Sequence, residues 1–174
     1  MKTRWKKPDS DPESKGDAAP DPQMLERVAV GLLARREHSR AELVRKLTAR
    51  GYMTTDIEPL LDRLAAQRLQ SDERFTASYV RMRSGRGYGP QRIRAELRER
   101  GVDPELIERA CAGRCHLDAG ADMPRIDDIW RRKFAGHLPQ DYRERARQMR
   151  FLQQRGFPLS EIHALFGRLS AGEA

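Results

Sequence analysis

Apolar residues recur along this chain at spacings of three and four rather than two, so the elements it predicts are helices. Leu25, Val28, Leu32 and Leu33 mark a first helix, opened by Asp21 as N-cap and Pro22 at the first helical position. Ser39 and Glu42 have the spacing of a capping box, in which the hydroxyl accepts from the backbone three residues on and the carboxylate reaches back. Leu43 and Leu47 carry that second helix to Gly51. A third runs from about Thr55 through Leu60, Leu61 and Leu64 to Leu69, with Pro59 near its start. Strict alternation never lasts and Val is scarce, so no strand is expected and the fold class is all-α.

The same design then recurs. The register L-x-x-R-G-apolar-x4-I fits Leu47–Ile57, Leu97–Ile107 and Leu152–Ile162, at offsets of 50 and then 55 residues. Gly takes the left-handed conformation that stops a helix, and the Arg before it sits where a cation favours a helix C-terminus. The apolar residue after Gly folds back onto the last turn, and Ile opens the buried face of the next helix. Each match is therefore a helix-turn-helix hairpin, and a further helix precedes each one. Phe75, Tyr79 and Met82 mark that helix in the second repeat, behind the capping residues Ser71 and Asp72. Ile126, Ile129, Trp130 and Phe134 mark it in the third.

The expected organisation is a disordered polar and basic tail at 1–21, then three-helix repeats at 22–70 and 71–113. A connector at 114–123 leads to a third repeat at 124–169. Each unit is small, so stacking on its neighbours should matter, and the stack forms an elongated, curved array rather than a pocket.

Composition agrees with thin cores. The chain of 174 residues is 38% apolar and 34% charged with only 6% aromatics, lean for one deep core. Lys and Arg number 34 against 26 Asp and Glu, a formal net charge of +8 that favours encounters with nucleic acid or an acidic protein. No apolar run is long enough to span a bilayer, and none follows the basic start as a secretory signal does, so a reducing cytoplasm is expected.

Chemistry is sparse. His38, His116, His137 and His163 have no nucleophile or carboxylate at triad spacing, and we expect no catalytic residue. Cys111, Cys115 and His116 lie close together, but a structural zinc needs four ligands, usually as two spaced pairs, and no second pair exists. They read as two reduced thiols near a helix end, with no metal and no cofactor. The segment from Ser84 to Pro90 lacks the Gly-Lys-Ser/Thr ending of a phosphate loop. It reads as a turn before a helix starting at Pro90, and as a flexible, basic loop whose exposed Tyr88 contacts DNA or protein. Basic residues concentrate at Arg92, Arg94, Arg98 and Arg100, at Arg131, Arg132 and Lys133, and at Arg143, Arg145, Arg147 and Arg150.

Several segments, in order, resemble the RecX family of RecA-recombinase regulators. They are Leu69-x-x-Asp72-Glu73-Arg74-Phe75 with Tyr79-Val80, and Gly87-Tyr88-Gly89-Pro90-x-Arg92-Ile93 with Leu97 and Arg100-Gly101-Val102. Arg131-Arg132-Lys133-Phe134, the run Arg143–Leu152 and Arg155-Gly156-Phe157 complete the set, and the resemblance covers about residues 22 to 169. It implies tandem three-helix repeats and a protein that binds RecA and its filament on single-stranded DNA, lowering strand exchange and ATP hydrolysis and so modulating DNA repair and recombination. The implied partners are RecA, its filament and DNA directly, with no membrane and no small-molecule substrate. Contact candidates are Arg86, Tyr88, Arg92, Arg98, Arg131, Arg132, Lys133, Arg143, Arg147 and Arg150. The alternative is a sequence-specific helix-turn-helix DNA-binding regulator, supported by the hairpin at 40–68 and the basic charge.

Overall fold

The computed structural model describes residues 21–116 and 125–171, with the side chains of 113–116 left out. The tail expected at 1–21, Asp21 apart, lies outside these residues, as does the expected connector beyond the backbone of 114–116.

The described residues form α1 (Pro22–Leu33), α2 (Arg40–Thr48), α3 (Thr54–Ala66), α4 (Asp72–Gly85), α5 (Pro90–Glu99), α6 (Pro104–His116), α7 (Ile126–Phe134), α8 (Tyr142–Gln154) and α9 (Leu159–Ala171). No strand occurs among them. Helices in extensive contact always belong to the same successive trio: α1 to α3, α4 to α6, or α7 to α9. Each trio closes its own core, around Leu43, Leu47, Ile57 and Leu61, then Phe75, Ile93, Leu97 and Ile107, then Trp130, Leu152, Ile162 and Phe166. The protein is thus an all-α array of three tandem three-helix repeats.

The repeated motif has one physical cause in all three places. Leu47, Leu97, Leu152, Ile57, Ile107 and Ile162 are each 0% exposed, so the first and last letters of the motif are the core of its hairpin. Between them, the amide of the apolar residue bonds back to the leucine carbonyl: Tyr52 to Leu47 at 3.3 Å, Val102 to Leu97 at 3.2 Å and Phe157 to Leu152 at 3.2 Å. The glycine amide bonds to the residue after the leucine at 2.9 Å in each copy, which completes a Schellman stop. Gly51, Gly101 and Gly156 have φ of 89°, 70° and 88°, the left-handed region that this stop demands.

Local details depart from the expectations in three places. Ser39 Oγ does accept from the Glu42 amide at 3.1 Å, but the Glu42 carboxylate binds Arg36 at 3.1 Å and Arg100 at 3.4 Å instead of reaching back. Charged partners outbid a backbone amide for that carboxylate. The third helix ends at Ala66 rather than Leu69, because Arg68 adopts φ 57° and makes a Schellman stop without glycine. In α4 the core stripe runs through Phe75, Thr76, Tyr79 and Val80, which leaves Met82 exposed.

Candidate interaction surface

The repeats join end to end through their second helices. Gly89, the N-cap of α5, and Gln91, in its first turn, donate to the carbonyls of Arg155 (2.7 Å) and Gly156 (3.0 Å), which terminate α8. At the preceding junction, Ser39 Oγ at the start of α2 donates to the Arg100 carbonyl at 2.7 Å, where α5 ends. Both contacts set the electronegative carbonyl end of one helix on the electropositive amide end of another, so each satisfies groups that helix termini leave open. The Arg-Gly dipeptide of the motif is therefore a connector as well as a stop. A Cβ on Gly156 would fall 2.4 Å from Arg92 Cβ, and one on Gly101 2.5 Å from Ala41 Cβ, so these junctions close only around glycine.

Arginines reinforce both seams. Arg155 Nη1 donates to the carbonyl of Arg86 at 3.0 Å, Arg92 Nη1 to that of Gln154 at 3.1 Å, and Arg45 Nη1 to that of Glu99 at 2.9 Å. Above the α5–α8 seam, Tyr88 is half-buried under the guanidinium groups of Arg83, Arg92 and Arg155, at 3.6, 4.9 and 5.6 Å from its ring centroid. Glu96 anchors the group: it takes a bidentate bond from Arg83, a bond from Arg92 at 3.1 Å and the Tyr79 hydroxyl at 2.8 Å. Burial pushes the Glu96 carboxyl up, but the bonds from Arg83, Tyr79 and Arg92 outweigh it and hold the group below the usual carboxylate range. Burial, aided by the bond to Glu96, raises the Tyr79 hydroxyl to about 12.

The ten contact candidates accordingly fall into separate settings. Tyr88 and Arg92 belong to the seam, and the segment from Ser84 to Pro90, expected as a flexible loop with an exposed tyrosine, has Gly87, Gly89 and Pro90 buried. Arg86 is exposed beside it. Arg98 lies on the far side of α5, 3.8 Å from Glu108 of α6, so it does not share a face with Arg92. The rest gather on the third repeat. Arg143, Arg147 and Arg150 follow i, i+4, i+7 spacing along α8, and Lys133 stands 5.7 Å from the ring of Phe151 on the same helix. Arg131 and Arg132 are exposed beside it in the last turn of α7. Sequence reasoning missed the seam residues Arg83, Glu96 and Arg155. Only Arg155 had a legible signal, the repeated Arg-Gly.

Charge pairing separates this cluster from the arginines of α5. In the second repeat Arg74, Arg83, Arg92, Arg94, Arg98 and Arg100 each have a carboxylate within 4.0 Å. On the third, Arg131, Arg132, Lys133, Arg143 and Arg150 have no such partner among the described residues, and Arg147 has Glu144 only at 3.8 Å. Among the described residues no group of three or more His, Cys, Asp or Glu side chains is arranged to hold a metal. No helix there is long and apolar enough to cross a membrane.

Comparison with known families places this architecture. Models of the first, second and third three-helix domains of RecX match residues 27–64, 71–110 and 123–166 in that order. The chain belongs to the RecX family. RecX relatives at high identity include the regulatory protein RecX of Pseudomonas putida (strain GB-1), 50% identical over 152 residues, which are 87% of this chain and 92% of that protein. The regulatory protein RecX of Pseudomonas entomophila (strain L48) is 48% identical over 151 residues, with the same coverage. The crystal structure of RecX from Lactobacillus salivarius shares the RecX fold at a TM-score of 0.68 and 21% identity, over 88% of this chain and 99% of that one. A second crystal structure of a regulatory protein RecX superposes at 0.65 with 22% identity, over 82% and 71% of the two chains. This is a protein of a regulatory family.

Proposed function

We propose that this protein regulates RecA by binding the RecA filament on single-stranded DNA, without catalysis and in the cytoplasm, through the cationic face of its third repeat. The observation that carries the reading is a concentration of cations without close carboxylates: six arginines of the second repeat are paired, whereas Arg131, Arg132, Lys133, Arg143 and Arg150 have no such partner among the described residues and Arg147 only a distant one. Exposed, unpaired guanidiniums meet phosphates or acidic side chains without first breaking an internal ion pair. Family membership supports the regulatory half of the reading, and the resemblance to RecA regulators supports the choice of partner.

The mechanism is steric and electrostatic. An array joined through its second helices lies along a helical nucleoprotein groove, and its third repeat anchors it there. The test is the triple variant Arg131→Glu, Arg132→Glu, Lys133→Glu. All three side chains are exposed, so the variant keeps its helical circular dichroism, with a melting temperature lowered modestly by carboxylates in the last turn of α7, but loses filament binding and inhibition. Full inhibition by that variant would remove this face from the mechanism.

A further inference from the structure

The junction that joins the repeats occurs twice inside the chain, and its two halves stand uncovered at opposite ends. At the first end, α2 finishes in Arg50-Gly51 with the same Schellman stop and φ of 89°, yet a Cβ on Gly51 meets nothing within 4 Å. Arg50 donates to the Lys46 carbonyl of its own helix, at 2.8 Å, and bridges to no other repeat among the described residues. At the other end, α8 begins at Asp141 and Tyr142, and among the described residues no helix end lies upon it. A cleft of about 340 Å³ opens beside that start, lined by Leu138, Pro139, Tyr142, Phe166 and Leu169 among others.

We propose that these two ends form a third instance of the junction between molecules, so that the protein associates head-to-tail with a second copy of itself. Continuity with the internal seams is the first argument. At the α5–α8 seam the Arg155 guanidinium lies on the carbonyls of Arg86 and Gly87, three and two residues before the N-cap Gly89. The residues at those offsets from the N-cap Asp141 are Leu138 and Pro139, which line the cleft; because Asp141 carries a side chain where the α5–α8 seam has Gly89, the second copy sits further out there and its Arg50 meets the Asp141 carboxylate at the mouth of the cleft.

Charge is the second argument. The α2 end carries Lys46 and Arg50, and the start of α8 carries Asp141 and Glu144 interleaved with Arg143 and Arg145, so the attraction is local, between those two cations and the two carboxylates.

Exposed apolar side chains on both ends are the third. Met53 is 61% exposed and holds the N-cap position of α3 with no side-chain hydrogen bond. The corresponding Asp103 of the second repeat caps α6 through the amides of Glu105 and Leu106. Met53 therefore forgoes a cap and presents an apolar surface. Opposite it in the proposed contact stand Leu138, 52% exposed, and Tyr142, 88% exposed.

Such a contact is heterologous and need not close on itself, so it builds open chains, and along a filament it makes successive molecules bind side by side. The proposal is independent of the identity of the filament.

Sedimentation of the full chain over a wide concentration range tests it, with two variants. Met53→Asp places a capping residue at the start of α3, and Tyr142→Lys puts a cation at an 88% exposed position opposite Lys46 and Arg50, so each removes apolar contact at one end and leaves the cores untouched. The expected result is a wild-type average mass that climbs continuously above the 20.0 kDa monomer. Each variant alone stays monomeric, because each lacks one end. An equimolar mixture recovers association but stops at two chains, since each variant supplies the end that the other lacks. A wild type that is monomeric into the millimolar range would overturn the proposal. So would association that survives both substitutions, or a mixture that remains monomeric.

Discussion

Gly89→Ala isolates the contact between the second and third repeats. Gly89 has φ −81° and ψ 167°, a conformation any residue adopts, so alanine introduces no backbone strain of its own. Its Cβ, however, would lie 2.4 Å from the carbonyl carbon and oxygen of Gly156 and 2.6 Å from the Phe157 amide nitrogen. Ordinary non-bonded carbon contacts are about 3.5 Å or more, so the two repeats must part by about 1 Å. That movement breaks the bonds from Gly89 to Arg155 (2.7 Å) and Gln91 to Gly156 (3.0 Å), and draws Arg155 off the Arg86 carbonyl (3.0 Å). At about 1 kcal/mol net for each bond, with a neutral-to-ionic one at the upper end, the junction loses about 2–4 kcal/mol.

The Gln91 amide is a direct reporter. It lies in the first turn of α5, where no carbonyl of the same helix can accept it, so its protection from hydrogen exchange comes from the Gly156 carbonyl. The variant should exchange that amide about 30- to 1,000-fold faster, while Leu97 and Ile107 in the core of the second repeat keep their protection. Gly31→Ala and Gly167→Ala are the controls. Both glycines are helical with open space where a Cβ would go, and each substitution should raise stability by about 0.5–1 kcal/mol. Unchanged Gln91 exchange in Gly89→Ala would refute the role assigned to the seam.

Other consequences follow from buried polar groups. Tyr79 keeps its proton in the folded chain to about pH 12, whereas an unfolded tyrosine loses it near pH 10. The folded state thus binds more protons between those limits, and the stability from this group, complete below about pH 10, declines as pH rises toward 12, by about 2–3 kcal/mol. An absorbance titration should show the Tyr79 phenol ionising late, and a titration already complete near pH 10 would contradict the buried Tyr79–Glu96 bond. Gln148 accepts from Trp130 Nε1 at 2.7 Å in the core of the third repeat. Gln148→Leu leaves that donor buried and unpaired, and should cost about 1–3 kcal/mol in denaturant unfolding followed by tryptophan fluorescence; an unchanged midpoint would show that the indole finds another partner.

Much of the fold was legible because the repeat writes its physics locally. The leucine and isoleucine of each motif are core, the glycine is a left-handed stop, and each rule acts within a dozen residues. Asp21 and Ser71 likewise cap where their sequence context says, accepting from Gln23 at 3.0 Å and Arg74 at 3.2 Å. The stop at Arg68 was illegible because a left-handed arginine has no compositional signal; tertiary packing imposes it. The seam was illegible for a different reason. Arg83 and Glu96 are 13 residues apart, and Arg155 reaches Arg86 across 69, so their pairing depends on how separate repeats meet. A run of arginines looks the same in sequence whether its members clamp a seam, as Arg92 does, or lack a carboxylate partner among the described residues, as Arg143 and Arg150 do. Only the placement of carboxylates in space divides the two groups.

Restraint of RecA is the function we propose for this RecX-family protein. DNA-dependent ATP hydrolysis by the cognate RecA tests it most directly, with the protein titrated from sub-stoichiometric to equimolar amounts. A dose-dependent fall in hydrolysis, with the protein bound to the filament, is the predicted result. Hydrolysis unchanged at equimolar protein, by a chain shown to be folded and helical, would contradict it.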